Sequence, residues 1–238
     1  MNEKPIATAV AQLKEPYVQE HVNFFTFEGG EGSGKSTILS LVAERLKKDG
    51  LKVFATREPG GTGSQKAEAI RGLIYEPYME DMAPLTEAFL YAASRAQHVD
   101  EIIAPRLQEQ YIVLCDRYVD SSLVYQGMQR NNLTDVVTIN KLAIKETMPK
   151  TTFFFDVPPE VGLARVKEQR SDDTNYIDHK DISFHREIYE SYSVLAKEFA
   201  ERYVRIDAEK DIEAVVDDVY TVIKTVIGRN GKSDRSGK

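Results

Sequence analysis

The chain has a single cysteine, Cys115, among its 238 residues. It cannot close an intramolecular disulfide, and a Cys-rich zinc site is argued against as well. The histidines, His21, His98, His179 and His185, lack any metal-ligand spacing and read as structural or surface residues. No apolar run approaches the roughly 18 residues of a membrane span, so no membrane partner is expected. The opening residues, MNEKPIATAVAQLKEPYVQEH, do not form a signal peptide, because their apolar stretch is short and broken by Gln12 and Lys14. Together these absences predict a cytoplasmic protein. The net charge is -7, which argues against a broad nucleic-acid footprint. An acidic chain can still hold anions where its basic groups converge locally.

No internal repeat or long low-complexity linker divides the chain. Residues 1–22 read as an N-terminal extension, 23–227 as one structured body, and 228–238 as a disordered tail without large apolar side chains. Within the body, short apolar runs alternate with amphipathic ones. Strands are predicted at Phe24–Phe27, Val53–Thr56, Tyr111–Cys115, Thr151–Val157 and Tyr203–Ile206. Helices are predicted over 35–48, 83–99, 134–147, 183–201 and 211–227, with a further one opening at Pro158-Pro159. Nearly continuous apolar strands separated by helices predict an α/β fold with a parallel sheet covered on both faces. Ligands then belong beyond the carboxyl ends of the strands.

The strongest local signal is Gly29-Gly30-Glu31-Gly32-Ser33-Gly34-Lys35-Ser36, followed by Thr37. It fits G-x-x-x-x-G-K-[ST], with a strand before it and an amphipathic helix after it. The glycines let successive backbone N–H groups turn inward as an anion nest, and the helix start adds a positive dipole end. Lys35 can then reach the β and γ phosphates of a nucleotide, and the Ser36 hydroxyl can ligate Mg²⁺. The motif predicts nucleotide binding without saying what is done with the nucleotide.

A guanine-reading N-K-x-D is lacking: the candidate reads Asn140-Lys141-Leu142-Ala143. No apolar strand ends in D-x-x-G, which argues against a GTPase switch. The third strand instead ends Cys115-Asp116-Arg117-Tyr118. Asp116 can hold a metal-bound water, and Arg117 suits a second phosphate group. Arg57 follows the second strand directly. Tyr91 and Arg95 share a helix face, where an aromatic ring and a guanidinium could stack on a base and bond its edge. These are the parts of a kinase for a small phosphorylated acceptor.

FEGGEGSGKST, TREPGGT, TEAFLYAASRAQH and CDRYVDSSLVYQG occur in that order and spacing. The chain thereby resembles the bacterial thymidylate kinases over roughly residues 23–225. The resemblance implies a P-loop NTPase fold of the nucleoside monophosphate kinase kind, with a five-stranded parallel sheet flanked by helices. It also implies transfer of the ATP γ-phosphoryl group to dTMP with Mg²⁺, and a homodimer. By the same resemblance Glu31 contacts the acceptor's 3′-hydroxyl, Arg57 and Arg117 hold its phosphate, and Asp116 lies near Mg²⁺. Tyr91 stacks on thymine, Arg95 donates to its O4, Ser122 and Gln126 meet the base edge, and Tyr125 lies against the deoxyribose. Cytosine has a donor where thymine has O4, so Arg95 would reject it.

Some members of the family carry an arginine just after the acidic loop residue, where this chain has Gly32. The resemblance then implies that arginines of a mobile lid meet the charge of the moving phosphoryl. The lid is expected within about 165–181, and its arginines are Arg165 and Arg170. Arg170 is favoured as the acting group, because it lies beside Ser171-Asp172-Asp173-Thr174-Asn175, while Arg165 fits the helix before it. The lid departs from the family pattern at Tyr176, where an arginine is usual.

Overall fold

The computed structural model describes residues 19–76, 82–169 and 180–233. A five-stranded sheet runs through it, built from β1 (Gln19–Glu28), β2 (Val53–Arg57), β3 (Ile112–Asp116), β4 (Thr147–Asp156) and β5 (Tyr203–Asp207). The order is β2-β3-β1-β4-β5, and each neighbouring pair is parallel. From β1 the chain goes to the edge at β2, returns to β3 beside β1, then crosses β1 to β4 and β5 on the other side. The carboxyl ends of β1 and β3 therefore flank the point where the order reverses, which is where an open α/β sheet binds ligands.

Strand alternation divides the core in two. Phe24, Val113, Cys115 and Phe154 point to one face and join Val119, Val137 and Tyr192 from the covering helices. Phe25, Phe27, Leu114, Phe153 and Phe155 point to the other and meet Val42, Leu46 and Val219. Because both faces are covered, consecutive residues such as Phe24-Phe25 in β1 and Phe153-Phe154-Phe155 in β4 are all buried, where a half-exposed strand would alternate. Stacked and tilted contacts join Phe25, Phe27, Phe153 and Phe155 across β1 and β4.

The helices are α1 (Lys35–Lys48), α2 (Gln65–Ile74), α3 (Pro84–His98), α4 (Ala104–Gln108), α5 (Val119–Ser122), α6 (Leu133–Ile144), α7 (Pro159–Gln169), α8 (Ile182–Glu198) and α9 (Ile212–Ser233). Wide π-helical turns at Val99–Ile103 and Leu123–Met128 extend α3 and α5. Sequence periodicity missed α2. Its signal was local: the Ser64 Oγ accepts from the Ala67 N–H as an N-cap, and Ala67 and Ile74 face inward two turns apart.

Three boundaries differ from expectation. β1 begins at Gln19, inside the segment read as an extension, and β4 begins at Thr147, not Thr151. These early stretches pair with each other, and β1 shifts register between His21 and Phe25. The shift adjoins Pro149, which has no N–H to give a ladder. At the other end, α9 runs on to Ser233, into the segment read as a disordered tail. Once Val219 and Ile223 anchor the helix, each added residue costs little. The rest of the extension and tail, and most of the expected lid including Arg170 and Tyr176, lie outside the described residues.

Phe154 is 1% exposed and stacks on Tyr192. Phe154→Ala should cost about 3–5 kcal/mol, measured by urea unfolding. A loss under about 1 kcal/mol would contradict this core assignment.

Candidate active site

The loop after β1 turns through Gly29, Gly32 and Gly34 at positive φ (146°, 66° and 85°) and delivers Lys35 into the first turn of α1. Lys35 Nζ donates to the Gly30 carbonyl at 2.7 Å and to Ser33 Oγ at 3.0 Å. Burial, with the Arg117 charge added, draws the Lys35 ammonium down to about 8. Like charges are thus already crowded before any anion arrives. The Ser36 hydroxyl donates to Asp116 Oδ2 across the gap between β1 and β3. The other oxygen, Asp116 Oδ1, is buried without a partner among the described residues.

Arg117 is held against its conformational preference, at φ 65°, a geometry that costs an L-residue on the order of 1–2 kcal/mol. Its N–H bonds the Phe27 carbonyl at 3.0 Å. Its guanidinium donates to Glu31 Oε1 at 2.5 Å, to Ser121 Oγ at 3.2 Å and to Tyr192 Oη at 3.3 Å. Tyr125 stands beneath it, with the ring centre 5.2 Å from the guanidinium carbon. On the β2 side, Arg57 pairs with Glu68 and donates to the Pro59 carbonyl at 3.0 Å. Arg71 of α2 donates to that same carbonyl at 2.9 Å.

Arg95 is 2% exposed. Its Nε donates to Glu58 Oε2 at 2.7 Å, and its Nη2 to the Tyr118 carbonyl at 3.0 Å. Its Nη1 donates to Ser122 Oγ at 2.8 Å and to Asn140 Oδ1. His98 clamps Glu58 from the other side, 3.0 Å away, and bonds Thr56 Oγ1 at 2.8 Å. The His98 ring is therefore structural, as expected.

These groups share one open cavity of about 540 Å³. Glu31, Gly32, Ser33, Gly34, Lys35, Ser36, Thr37, Arg57, Tyr91, Arg95, Asp116, Arg117, Tyr125 and Gln126 all line it. Gly29, Gly30 and Ser122 do not. Ser122, expected at the base edge, instead serves as an acceptor for Arg95. The order of the strands gives the cavity a direction. Tyr91, Arg95, Arg57 and Arg117 lie toward β2 and β3, and the glycine loop lies at the centre. Arg165, Val166, Ala208, Ile212 and Val215 lie toward β4 and β5.

A match over most of the chain accompanies this geometry. The family model described as Thymidylate kinase matches residues 27–219. The chain belongs to the thymidylate kinase family. It is similar to the thymidylate kinase of Geobacillus thermodenitrificans, 45% identical over 214 residues that span 89% of this chain and 92% of that protein. The thymidylate kinase of Anoxybacillus flavithermus is 43% identical over 205 residues, 86% of this chain and 97% of that one. Among solved structures, a thymidylate kinase crystal structure from Ehrlichia chaffeensis superposes with a TM-score of 0.67 at 30% identity. It covers 84% of this chain and 97% of its own. The fold is thus a P-loop NTPase fold with a five-stranded parallel sheet and flanking helices.

Several lining residues had not been picked out as site residues from the sequence of this family member. Arg71 sits on α2, a helix that periodicity missed. Glu58 was visible in TREPGGT but had no assigned partner. Arg165, the less favoured of the two lid arginines, lies in α7 as expected, is half-buried and donates to the Ala208 carbonyl at 2.9 Å. The loop glycine at 32 also gains a reason. A Cβ there would lie 2.0 Å from the Gly162 carbonyl oxygen of α7. A longer side chain at that position would have to displace the helix that leads into the expected lid.

Beneath Arg117 lies a fully buried carboxylate, Glu28, the last residue of β1. It accepts from the Tyr118 N–H and Ser121 Oγ at 2.7 Å each, and from Tyr192 Oη at 2.9 Å. Asp120, paired with the buried Arg202, stands nearby. Burial, reinforced by the Asp120 charge, pushes Glu28 up from 4.5 to about 7. Between those values the folded chain holds a proton that the unfolded chain has released. Glu28's contribution to stability is therefore complete below pH 4.5 and is lost as the pH rises through about 7. Glu28→Gln should flatten the fall in stability over that interval, read by urea unfolding at a series of pH values. An unchanged pH slope would contradict the assignment.

Proposed function

We propose that the chain transfers the γ-phosphoryl group of ATP to dTMP, giving dTDP and ADP on the route to dTTP. The observation that carries this reading is that the phosphate-binding loop shares one cavity with a second cluster of cations, Arg57, Arg71 and Arg117, and with Tyr91 and Arg95. ATP enters with its triphosphate on the loop amides and Lys35. Its base end lies toward Val166, Ile212 and Val215, beside Arg165. The acceptor enters from the β2 and β3 side, with its phosphate drawn by Arg57, Arg71 and Arg117. Tyr91 covers the base and Arg95 bonds its edge. Glu31 and Tyr125, already joined at 3.4 Å, lie where the acceptor's sugar would pass.

The reaction follows from placement. Arg117 can exchange its internal partners for an acceptor phosphate, whose oxygen then faces the γ-phosphorus of ATP in line. The acceptor oxygen is ionised at neutral pH, so no general base is required. Positioning and charge neutralisation carry the rate. Arg170, in the expected lid, supplies a further charge on closure, and closure excludes the water that would otherwise hydrolyse ATP.

The donor set also fits Mg²⁺. Asp116 Oδ1 is a buried orphan in a carboxylate bonded by the Ser36 hydroxyl, and these two side chains would hold the ion. When bound, the ion neutralises charge on the transferred phosphate. The same reading includes a homodimer in the cytoplasm. α3 and α6 pack together and expose Leu85, Phe89 and Leu142, the last by 77%, an apolar face suited to a second copy.

ADP release measured across a panel of nucleosides and monophosphates, with ATP and Mg²⁺, should show dTMP as the preferred acceptor. Preference for another acceptor would replace this reading, and ATP binding without turnover would favour a regulatory role. Lys35→Ala should lower kcat by about a hundredfold or more with the fold intact. Near-normal turnover would reject the loop assignment.

A further inference from the structure

α3 sends three side chains along one face, at helical spacing: Glu87, Tyr91 and Arg95. Tyr91 and Arg95 line the cavity, while Glu87 is 8% exposed and lies behind it. Glu87 Oε1 accepts from Gln126 Nε2 at 2.9 Å. Glu87 Oε2 accepts from Arg130 at 3.1 Å. Gln126 rides on the π-helical turn after α5, lines the cavity and is 3% exposed.

A carboxylate paired with a guanidinium offers only acceptors. The Gln126 amide can meet it only with its nitrogen. The amide oxygen is then turned away from Glu87, and among the described residues it has no partner. Arg95 is oriented in the same manner. Its bonds to Glu58, Ser122, Asn140 and the Tyr118 carbonyl leave one Nη2 hydrogen unspent. The wall therefore offers a donor from Arg95 and an acceptor from Gln126.

From this arrangement we infer that Glu87 is a positioning residue for base selection. It locks the Gln126 amide so that its oxygen accepts from the base. The pair complements a pyrimidine with a carbonyl at position 4 and an N–H at position 3, which is thymine or uracil. Cytosine reverses both groups and meets donor with donor and acceptor with acceptor. With Glu87 absent, the amide can rotate by half a turn, and the N3 half of the pattern is no longer enforced. The inference rests on reading dTMP as the acceptor and adds how that choice is made.

The test compares kcat/KM for dTMP and dCMP in the full-length enzyme. Glu87→Gln lets the neighbouring amides pair either way round, and Glu87→Ala removes the lock. Each should lower the dTMP preference by about tenfold, the size of one hydrogen bond, and chiefly through KM. Glu87→Asp should restore part of it. Arg130→Ala, which keeps the carboxylate, should retain the preference. Either of the first two variants suffices if the other does not fold. An unchanged preference in a folded variant, with only its melting temperature lowered, would make Glu87 a plain helix contact and overturn the inference. A wild-type enzyme that ignores dTMP would instead contradict the functional reading itself.

Discussion

Everything in the site answers to one electrostatic constraint: cations must be held together at the end of a sheet before any anion arrives. Lys35, Arg57, Arg71 and Arg117 share one cavity. In the structure, carboxylates and carbonyls hold these cations in place. Glu31 takes Arg117, Glu68 takes Arg57, the Pro59 carbonyl takes Arg57 and Arg71, and the Gly30 carbonyl takes Lys35. The carbonyls are neutral, and Arg57–Glu68 is solvent-exposed, so an incoming phosphate meets little competition from them. Glu31, largely buried with Arg117, is the carboxylate that must be re-paired when a phosphate takes that guanidinium. The overall acidity of the chain and the local basicity of the cavity are therefore compatible.

Behind the exchangeable contacts lies a layer that does not exchange. Glu58 fixes Arg95 and His98, and Glu28 gathers the Tyr118 amide with the hydroxyls of Ser121 and Tyr192. Asp120 and Arg202 form a pair with almost no exposure. Buried carboxylates of this kind contribute little net stability, since desolvation offsets most of the attraction. Their use here is orientation. A guanidinium whose other hydrogens are spent can aim the remaining one in a single direction.

Much of this was legible in the sequence. The strand runs and the glycine loop were plain, because a strand buried on both faces is continuously apolar and the loop has a rigid spacing requirement. Arg57, Arg117 and Asp116 could be placed because they directly follow or end strands. What could not be read lies one layer back. Nothing in the spacing of Glu58, Glu87 or Ser122 says which arginine or amide each will orient, since those partners are distant in the chain. The π-helical turn carrying Tyr125 and Gln126 has no compositional signature, and α2, with Arg71, was announced only by the Ser64 cap. The starts of β1 and β4 were hidden because a polar pair of strand ends stabilises itself by mutual pairing, which no single segment records.

The central claim is that the cavity holds two nucleotides with their phosphates meeting at the glycine loop. Calorimetry with a bisubstrate ligand, adenosine and thymidine joined through their 5′ ends by a chain of phosphates, tests it most directly. The account predicts one site per chain and an affinity about a hundredfold or more above that of ATP or dTMP alone, because one ligand fills both ends at a single entropic cost. Binding no tighter than ATP alone would contradict it.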